Sequence, residues 1–151
     1  MALDLVNDPN IASYDLSSLK AIGGGGAAMP APVAYRLKEM TGLDYLEGYG
    51  LSETMAATHL NPPDAPRAQC LGIPVFDVKS CVWSPEARKR LAPNEVGEIL
   101  ISGPQIFLGY WKQPEATKEA FVMLEGIEYF RTGDIGYVDD DGFFYMVDRL
   151  K

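Results

Sequence analysis

The amino-acid sequence predicts an α/β fold, an α+β fragment in which the end of a parallel β-α-β lobe is followed by a small antiparallel, distorted β-barrel lobe. Three observations predict this class. Residues 19–49 read as strand, glycine loop, helix and strand, an order typical of parallel sheets. A proline-rich break follows at residues 62–67. Beyond it, short apolar and aromatic runs alternate with turn signals, which is typical of antiparallel strands in a small barrel.

The first lobe is predicted from local patterns. The segment LKAI, residues 19–22, is a short buried-strand candidate that runs into four glycines. The segment MPAPVAYRLKEMTG has prolines at its entry and apolar residues at helical spacing, so it predicts a helix that ends at Gly42. A second strand, LDYLEGYG, follows this helix. The β-α-β order predicts that the two strands are parallel.

The second lobe is predicted to begin after residue 66. The segments PVFDVKSCVW, VGEILISG and EYFRTGDIGYVDDDGFFYMVD have the residues of short strands, and Asp141-Gly142 marks a hairpin turn. One short helix is predicted in KQPEATKEAFV. We therefore assign residues 1–66 to the end of the α/β lobe and residues 67–147 to the barrel-like lobe.

Composition and charge exclude several classes of partner. The chain has 151 residues and a net charge of −8, which argues against nucleic acid or an anionic membrane as a partner. No apolar run approaches the roughly 20 residues of a membrane span, and the first residues have no basic-then-apolar pattern. The sequence therefore predicts a cytoplasmic protein without a transmembrane segment. Cys70 and Cys81 lack metal-site spacing and are predicted to be reduced and buried.

The glycine run allows three interpretations. Gly23, Gly25 and Ala28 fit G-x-G-x-x-A between a strand and a helix, and Glu47 lies near the position of a ribose-binding acid, as in dinucleotide-binding Rossmann units. The run also fits a flexible turn without a ligand, or another nucleotide-binding arrangement. In each case four glycines remove side chains, so that another group can approach the backbone closely.

Ser52 and Glu53, in the segment YGLSET, also have two interpretations. Ser52 can be the N-cap of a helix, with Glu53 favoured by the helix dipole. The same geometry can hold a phosphate oxygen at the hydroxyl and a magnesium ion at the carboxylate. Spacing alone does not separate these interpretations.

Asp134 and Arg149 are candidate contacts to a nucleotide. A carboxylate such as that of Asp134, in FRTGD, can accept hydrogen bonds from the two hydroxyls of a ribose. Arg149 is either a solvated residue at a strand end or a donor to an oxygen-rich ligand. His59 is the chain's only histidine and has no paired ligand or nucleophile in the sequence, so it is interpreted as a structural or pocket-wall residue.

Five segments in order resemble the adenylate-forming superfamily of acyl- and aryl-CoA synthetases, peptide-synthetase adenylation domains and luciferases. They are GGGGAAMP, GYGLSET, GEILISGPQIFLGYWKQPEAT, YFRTGD and DGFFYMVDRLK. The resemblance implies that a carboxylate attacks the α-phosphorus of ATP to give acyl-AMP and pyrophosphate, and that the thiol of CoA then takes the acyl group. ATP or AMP, Mg²⁺ and CoA are the implied cofactors. A fatty acid is the implied substrate, because YGLSET followed by MAA resembles that branch.

The resemblance also implies roles for individual residues. The nucleotide-binding residues would be Gly26, Ala27, Ala28, Glu47, Gly48, Tyr49, Ser52, Asp134 and Arg149. Tyr49 would lie against the adenine, and Asp134 would hold the ribose. The catalytic residues would be Ser52, which stands where the family usually has threonine and would meet the α-phosphate, and Glu53, which would be the magnesium ligand. The residues lining the acyl pocket would be Gly25, Gly50, Met55 and Ala56.

Two expected segments of the superfamily are missing from the sequence. Its glycine-rich phosphate loop would precede Met1, and its C-terminal domain with the catalytic lysine would follow a hinge at residues 148–151. We therefore expect residues 1–66 to be the end of an adenine-binding subdomain. We expect the chain alone to have little or no activity, to need the missing parts of its parent chain as partners, and to self-associate. The alternative is a non-catalytic nucleotide-binding module, either a degenerate relative or a Rossmann-type binder.

Overall fold

The computed structural model describes residues 2–149. Within this range the α-helices are Ala2–Asn7 (α1), Ala31–Thr41 (α2) and Pro114–Glu119 (α3). The strands are Ile22–Gly25 (β1), Tyr45–Tyr49 (β2), His59–Leu60 (β3), Ile73–Pro74 (β4), Lys79–Ser84 (β5), Lys89–Arg90 (β6), Gly97–Ser102 (β7), Phe121–Leu124 (β8), Ile127–Val138 (β9) and Phe144–Arg149 (β10). They form one sheet in the order β1-β2-β3-β4 and another in the order β10-β9-β7-β5-β6, with β8 paired to β9.

The first sheet has the predicted parallel pair at its edge. Strands β1 and β2 run parallel, with Ile22 opposite Tyr45 and Gly25 opposite Gly48. Helix α2 connects them and buries Val33 and Leu37. It ends at Gly42, which is left-handed with φ of 73°, a conformation that glycine adopts at low cost. The predicted helix, its end and the parallel pairing are confirmed, and β3 and β4 extend the sheet in antiparallel fashion.

The predicted strand at residues 19–22 is wrong, because β1 begins at Ile22 and consists mainly of the glycines themselves. The reason is the close approach of β2. A Cβ atom at Gly25 would lie 2.4 Å from the carbonyl oxygen of Gly48, and one at Gly23 would lie 2.8 Å from that of Leu46. Glycine has low strand propensity, but here it lets the two backbones meet.

The second sheet is the predicted antiparallel barrel-like unit. Strand β9 is its centre and pairs antiparallel with β7, β8 and β10. Ile99, Ile101 and Val82 are fully buried on one face of this sheet. The turn between β9 and β10 contains the predicted Asp141-Gly142 step, with the Gly142 amide donating to the Asp139 carbonyl oxygen over 3.1 Å. The antiparallel sheet and the hairpin are confirmed.

The two sheets are joined by backbone and core contacts. Gly72 and Phe144 form a bridge between the segment before β4 and strand β10. The Sγ atom of buried Cys70 donates to the Phe144 carbonyl oxygen over 3.3 Å. Tyr49, at the end of β2, packs in the same core cluster as Phe144. Strand β4 carries the first sheet past residue 66, and the division into lobes stays a prediction. Residues 1, 150 and 151, which belong to the predicted α/β lobe and hinge, lie outside the described residues.

Arg67, in the segment between β3 and β4, forms ion pairs with the hairpin turn between β9 and β10. Its guanidinium contacts Asp139 at 2.5 Å and Asp141 at 2.7 Å, and it lies 3.7 Å above the ring of Phe143. These contacts fix the path of residues 68–71, which reach the junction between the two sheets.

Candidate functional site

A cleft of about 680 Å³ lies where the two sheets meet, and we call it the junction cleft. The loops at the carboxyl ends of the parallel strands β1 and β2 reach it, a position where α/β sheets commonly bind ligands. The residues predicted for nucleotide binding that line it are Gly26, Ala27, Ala28, Glu47, Gly48, Tyr49 and Arg149. The structure therefore brings together residues that are far apart in the sequence.

A second cleft, of about 540 Å³, adjoins the first, and we call it the glycine cleft. The predicted acyl-pocket residues Gly25, Gly50, Met55 and Ala56 all line it. Gly26, Gly48, Tyr49 and Gly50 line both clefts. The two clefts therefore meet along a shared wall at the end of β2.

Tyr49, Asp134 and Arg149 form a hydrogen-bonded cluster beneath the junction cleft. The Tyr49 hydroxyl donates to Asp134 Oδ2 over 2.5 Å, and Arg149 Nε donates to Asp134 Oδ1 over 2.5 Å. Asp134 is fully buried, whereas the Arg149 side chain is 56% exposed. Asp134 does not line the cleft itself. It lies directly behind two side chains that do.

The electrostatics of the cluster keep Tyr49 neutral. Burial, and then the hydrogen bond to the Asp134 carboxylate, raise the pKa of the Tyr49 phenol above its usual range. The pKa of Arg149 is raised by its hydrogen bond and charge attraction to Asp134. Tyr49 is thus a fixed donor, and Arg149 is a cation at the mouth of the cleft.

Glu47 is another lining residue of the junction cleft that is held in place by a hydrogen bond. Its Oε1 atom accepts a hydrogen bond from the Gln69 amide over 3.2 Å. Burial raises the pKa of the Glu47 carboxyl, and hydrogen bonds from the Met29 and Gln69 amides partly oppose that rise. Glu47 therefore links β2 to the segment between the sheets.

Ser52 does not cap a helix, so that interpretation is wrong. Ser52–Thr54 form a single 3-10 turn whose cap position is Leu51. The Thr54 hydroxyl accepts from the Leu51 amide over 2.9 Å, and Met55 then takes a left-handed φ of 56°. The chain reverses toward β3 instead of continuing as a helix. Ser52 is exposed and lines neither cleft.

Glu53 is held by a residue that the sequence did not suggest. The Tyr110 hydroxyl donates to Glu53 Oε1 over 2.9 Å. Among the residues at positions 2–149, no cluster of three or more His, Cys, Asp and Glu side chains could hold a metal ion. The single carboxylate of Glu53 is compatible with a Mg²⁺ site, because proteins often bind this ion through one or two carboxylates together with substrate phosphates.

Sequence reasoning missed several lining residues. Those of the junction cleft are Ala68, Gln69, Leu71, Tyr137, Tyr145 and Met146. Tyr137 and Tyr145 lie opposite each other on β9 and β10 and stack with ring centres 5.0 Å apart. Strand alternation around the Asp-Gly turn could have paired them. Ala68 and Gln69 follow a proline-rich break that carried no such signal.

Sequence reasoning also missed an ion pair next to the Asp134 strand. The fully buried Glu98 accepts hydrogen bonds from Arg131 over 2.9 and 3.1 Å and from the Gly133 amide over 3.1 Å. These contacts fix the strand immediately before Asp134. The pair links the motifs GEILISG and YFRTGD, whose proximity only the sheet pairing reveals.

His59 is a buried, neutral residue behind Tyr49. It has no exposed surface, and its ring lies 5.6 Å from that of Tyr49 and 4.7 Å from that of Phe144. Its Nε2 atom has no hydrogen-bond partner among the described residues. Burial lowers the pKa of His59 to about 3. It lines neither cleft, so it supports Tyr49 from within the core.

The buried histidine predicts a loss of stability in acid. In the unfolded chain the imidazole has a pKa near 6.5, so the unfolded state binds a proton below that pH while the folded state does not until about pH 3. The stability that the neutral imidazole of His59 contributes above pH 6.5 is therefore lost progressively as the pH falls toward 3. Between pH 7 and pH 5 the free energy of unfolding should fall by about 2 kcal/mol more in the wild type than in His59→Gln. Urea unfolding at both pH values measures this difference, and equal losses in the two proteins would refute it.

Comparison with known proteins identifies the fold and the family. A family model described as AMP-binding enzyme matches residues 1–111. A long-chain-fatty-acid–CoA ligase of Bacillus subtilis (strain 168) is 40% identical over 152 residues, covering 99% of this chain and 26% of that protein. A luciferin 4-monooxygenase of Photuris pensylvanica is 40% identical over 144 residues, covering 93% of this chain and 26% of that protein. The chain thus spans about a quarter of the length of these curated relatives.

Solved structures give the same result. A long-chain-fatty-acid-CoA ligase (FadD1) from Archaeoglobus fulgidus matches with a TM-score of 0.89 and 31% identity, covering 99% of this chain and 32% of that one. ATP-bound MatB from Rhodopseudomonas palustris matches with a TM-score of 0.85 and 30% identity, covering 98% of this chain and 29% of that one. No helix within residues 2–149 has the length and apolar character needed to cross a membrane.

A mixed sheet with a glycine edge, joined to an antiparallel barrel-like sheet, is the architecture of the adenylate-forming enzymes. The chain belongs to the AMP-binding enzyme family. The resemblance of the five sequence segments to this superfamily is confirmed.

Proposed function

We propose that the chain is part of an ATP-dependent acyl-CoA ligase of the fatty-acid type and that it supplies the adenosine side of the ATP site and one wall of the acyl pocket. The observation that carries this proposal is the pair of adjoining clefts that share Gly26, Gly48, Tyr49 and Gly50. A nucleotide in the junction cleft and an acyl chain in the glycine cleft would meet at this wall.

Each cleft has the surface that its proposed ligand needs. The junction cleft combines the Tyr49 ring with backbone from residues 26–28 and the charged groups of Glu47 and Arg149, a combination suited to adenine and ribose. The glycine cleft is lined by glycine, alanine and other apolar residues, including Leu46, Met55 and Leu60. An acyl chain binds such a surface through burial of apolar area.

The ribose contact requires Arg149 to move. Asp134 is fully buried, and both of its carboxylate oxygens accept hydrogen bonds from Tyr49 and Arg149. Of these two donors, Arg149 is the one whose side chain is largely exposed. We expect the ribose hydroxyls to take the place of Arg149 on Asp134, while Arg149 remains beside the sugar as a second contact.

The proposed first reaction places two anions in contact. An oxygen of the fatty-acid carboxylate attacks the α-phosphorus of ATP, a new P–O bond forms, and the bond to the β-phosphate oxygen breaks to release pyrophosphate. The thiolate of CoA then attacks the acyl carbonyl carbon and AMP leaves. The exposed hydroxyl of Ser52 is proposed to donate to an α-phosphate oxygen, and Glu53 is proposed to bind Mg²⁺, which neutralises phosphate charge.

The alternative function, a Rossmann-type dinucleotide binder, does not agree with the geometry of β1 and the start of α2. Its fingerprint requires glycines in the turn that leads to a helix N-terminus, whereas Gly23–Gly25 lie within β1. Pro30 is the N-cap of α2 and Pro32 lies in its first turn, so two backbone N–H donors for a pyrophosphate are missing. Both features favour the adenylate-forming arrangement.

The proposed function is tested by a thermal-shift panel with ATP, AMP, NAD and a non-hydrolysable acyl-AMP analogue. Ligand at ten times its dissociation constant stabilises the folded state by about 1.4 kcal/mol, which is about 3–5 °C for a chain of this size. We expect AMP and the acyl-AMP analogue to raise the melting temperature and NAD to leave it within 1 °C, by this scale. A response to NAD alone would instead support the dinucleotide binder.

The proposal also includes the cellular location of the enzyme, its thiol acceptor and the protein contacts of the chain. The enzyme is proposed to act in the cytoplasm and to use CoA as thiol acceptor. The side chains of Phe76 and Leu108 are almost entirely exposed, and apolar surface of this kind supports self-association of the chain on its own or contact with missing parts of a longer parent chain.

A further inference from the structure

The loop between β7 and α3, residues 103–113, holds Glu53 by two hydrogen bonds. The Phe107 amide donates to the Glu53 carbonyl oxygen over 2.8 Å. The Tyr110 hydroxyl donates to Glu53 Oε1 over 2.9 Å. One contact fixes the backbone of Glu53 and the other fixes its carboxylate, so the loop determines both the position and the orientation of this side chain.

The loop is itself anchored to the second sheet. The ring of Phe107 packs against those of Tyr110, Phe121 and Phe130, with centres 4.8, 5.7 and 5.5 Å apart. The Tyr110 amide donates to the Thr117 hydroxyl over 2.9 Å. Tyr110 therefore reaches Glu53 from a fixed aromatic cluster, across 57 positions of sequence.

The contact leaves one carboxylate oxygen available. Oε1 of Glu53 accepts from Tyr110, and within residues 2–149 no donor is bonded to Oε2. A free glutamate side chain loses rotamer freedom when it binds an ion, and the tyrosine removes part of that cost beforehand.

We propose that Tyr110 is a positioning residue for Glu53: it holds Oε1 so that Oε2 is presented to a divalent cation bound with the phosphates of ATP. The proposal rests on the proposed function, in which Glu53 is the metal ligand. It assigns a role to the segment LGYW, which neither cleft explains. Tyr110 acts through Glu53 and touches neither ATP nor the fatty acid.

A double-mutant cycle tests the contact in the 151-residue chain. Urea unfolding is measured for the wild type, Tyr110→Phe, Glu53→Ala and the double variant. Phenylalanine keeps the ring packing against Phe107 and removes only the hydroxyl. We expect a coupling of about fivefold or more in the unfolding equilibrium constant, the size of one hydrogen bond. Additive effects would show that the hydroxyl does not hold Glu53 and would overturn the proposal.

Broadening of NMR signals by Mn²⁺ with ATP tests the role toward the metal, and it detects weak binding without any turnover. Mn²⁺ and ATP are titrated together into ¹⁵N-labelled chain while the amide signals of Glu53 and Thr54 are followed. We expect Tyr110→Phe to raise the concentration for half broadening about fivefold. Tyr35→Phe, on the exposed face of α2, is the matched control and should behave as the wild type.

Comparing Glu53→Gln with Tyr110→Phe distinguishes a wrong role for Tyr110 from a wrong role for Glu53 in the proposed function. Glu53→Gln should abolish the local broadening. If it does so while Tyr110→Phe titrates as the wild type, Glu53 is the metal ligand and the positioning role of Tyr110 is refuted. If the wild type shows no local broadening, or Glu53→Gln leaves it unchanged, Glu53 is not the ligand and both proposals fail at that residue.

Discussion

Replacing Asp134 with alanine is expected to lower the free energy of unfolding by about 2 kcal/mol and to weaken the binding of AMP. The Tyr49 hydroxyl would be left buried without an acceptor, which costs about 1–3 kcal/mol. Loss of the Arg149 ion pair adds little, because that side chain is largely exposed. Losing hydrogen bonds from the ribose to a charged group should weaken AMP binding by about 1.5–3 kcal/mol. Urea unfolding and isothermal calorimetry with AMP measure the two effects.

Two further variants make this prediction specific. Asp64→Ala removes an exposed aspartate in a loop, and it should change neither quantity by more than about 0.5 kcal/mol. Adding Tyr49→Phe to Asp134→Ala removes the unpaired hydroxyl and should restore most of the lost stability without restoring AMP binding. Unchanged AMP affinity in Asp134→Ala would show that Asp134 does not hold the ribose.

The chain alone is expected to form almost no acyl-AMP from ATP and a long-chain fatty acid, at least about 10⁴-fold less than a full-length relative. The reaction brings a carboxylate against a triphosphate, and each charge-stabilising donor in such a site is worth about 10²–10³-fold in rate. Among residues 2–149, Arg149 is the only cation that lines either cleft, and no lysine does. The relatives are about four times as long as this chain.

ATP–pyrophosphate exchange measures this activity. The 40%-identical Bacillus subtilis ligase, assayed under the same conditions, is the positive control. Exchange by the 151-residue chain within tenfold of that control would contradict the expectation, since the described residues would then suffice for the reaction.

Local sequence patterns predicted the elements whose signals lie within a few residues. The end of α2 depended on Gly42 alone, and the β9–β10 turn depended on Asp141-Gly142. The parallel pairing of β1 and β2 followed from the β-α-β order. The grouping of the lining residues was expected only from the family resemblance, because periodicity gave no reason to bring Gly26 and Arg149 together.

Features that depend on distant contacts could not be read from the sequence. Glycines have low strand propensity, so β1 was placed too early, and only the approach of β2 explains why they form a strand. The turn at Ser52 was read as a helix start, because the left-handed Met55 gives no local signal. The contact between Tyr110 and Glu53 joins the turn after β2 to the loop after β7, and it appears only when the fold is known.

An NMR titration of the ¹⁵N-labelled chain with AMP, with NAD as comparison, tests directly whether the junction cleft binds the adenosine of ATP. We expect AMP to shift the amide signals of residues 26–28, 47–50 and Arg149, which line the junction cleft, and that of Asp134, which is bonded to Arg149. AMP shifts confined to other regions, no shifts at 10 mM AMP (about ten times a dissociation constant near 1 mM), or shifts with NAD alone at Gly23–Gly25 would contradict the assignment of this cleft to the adenosine of ATP.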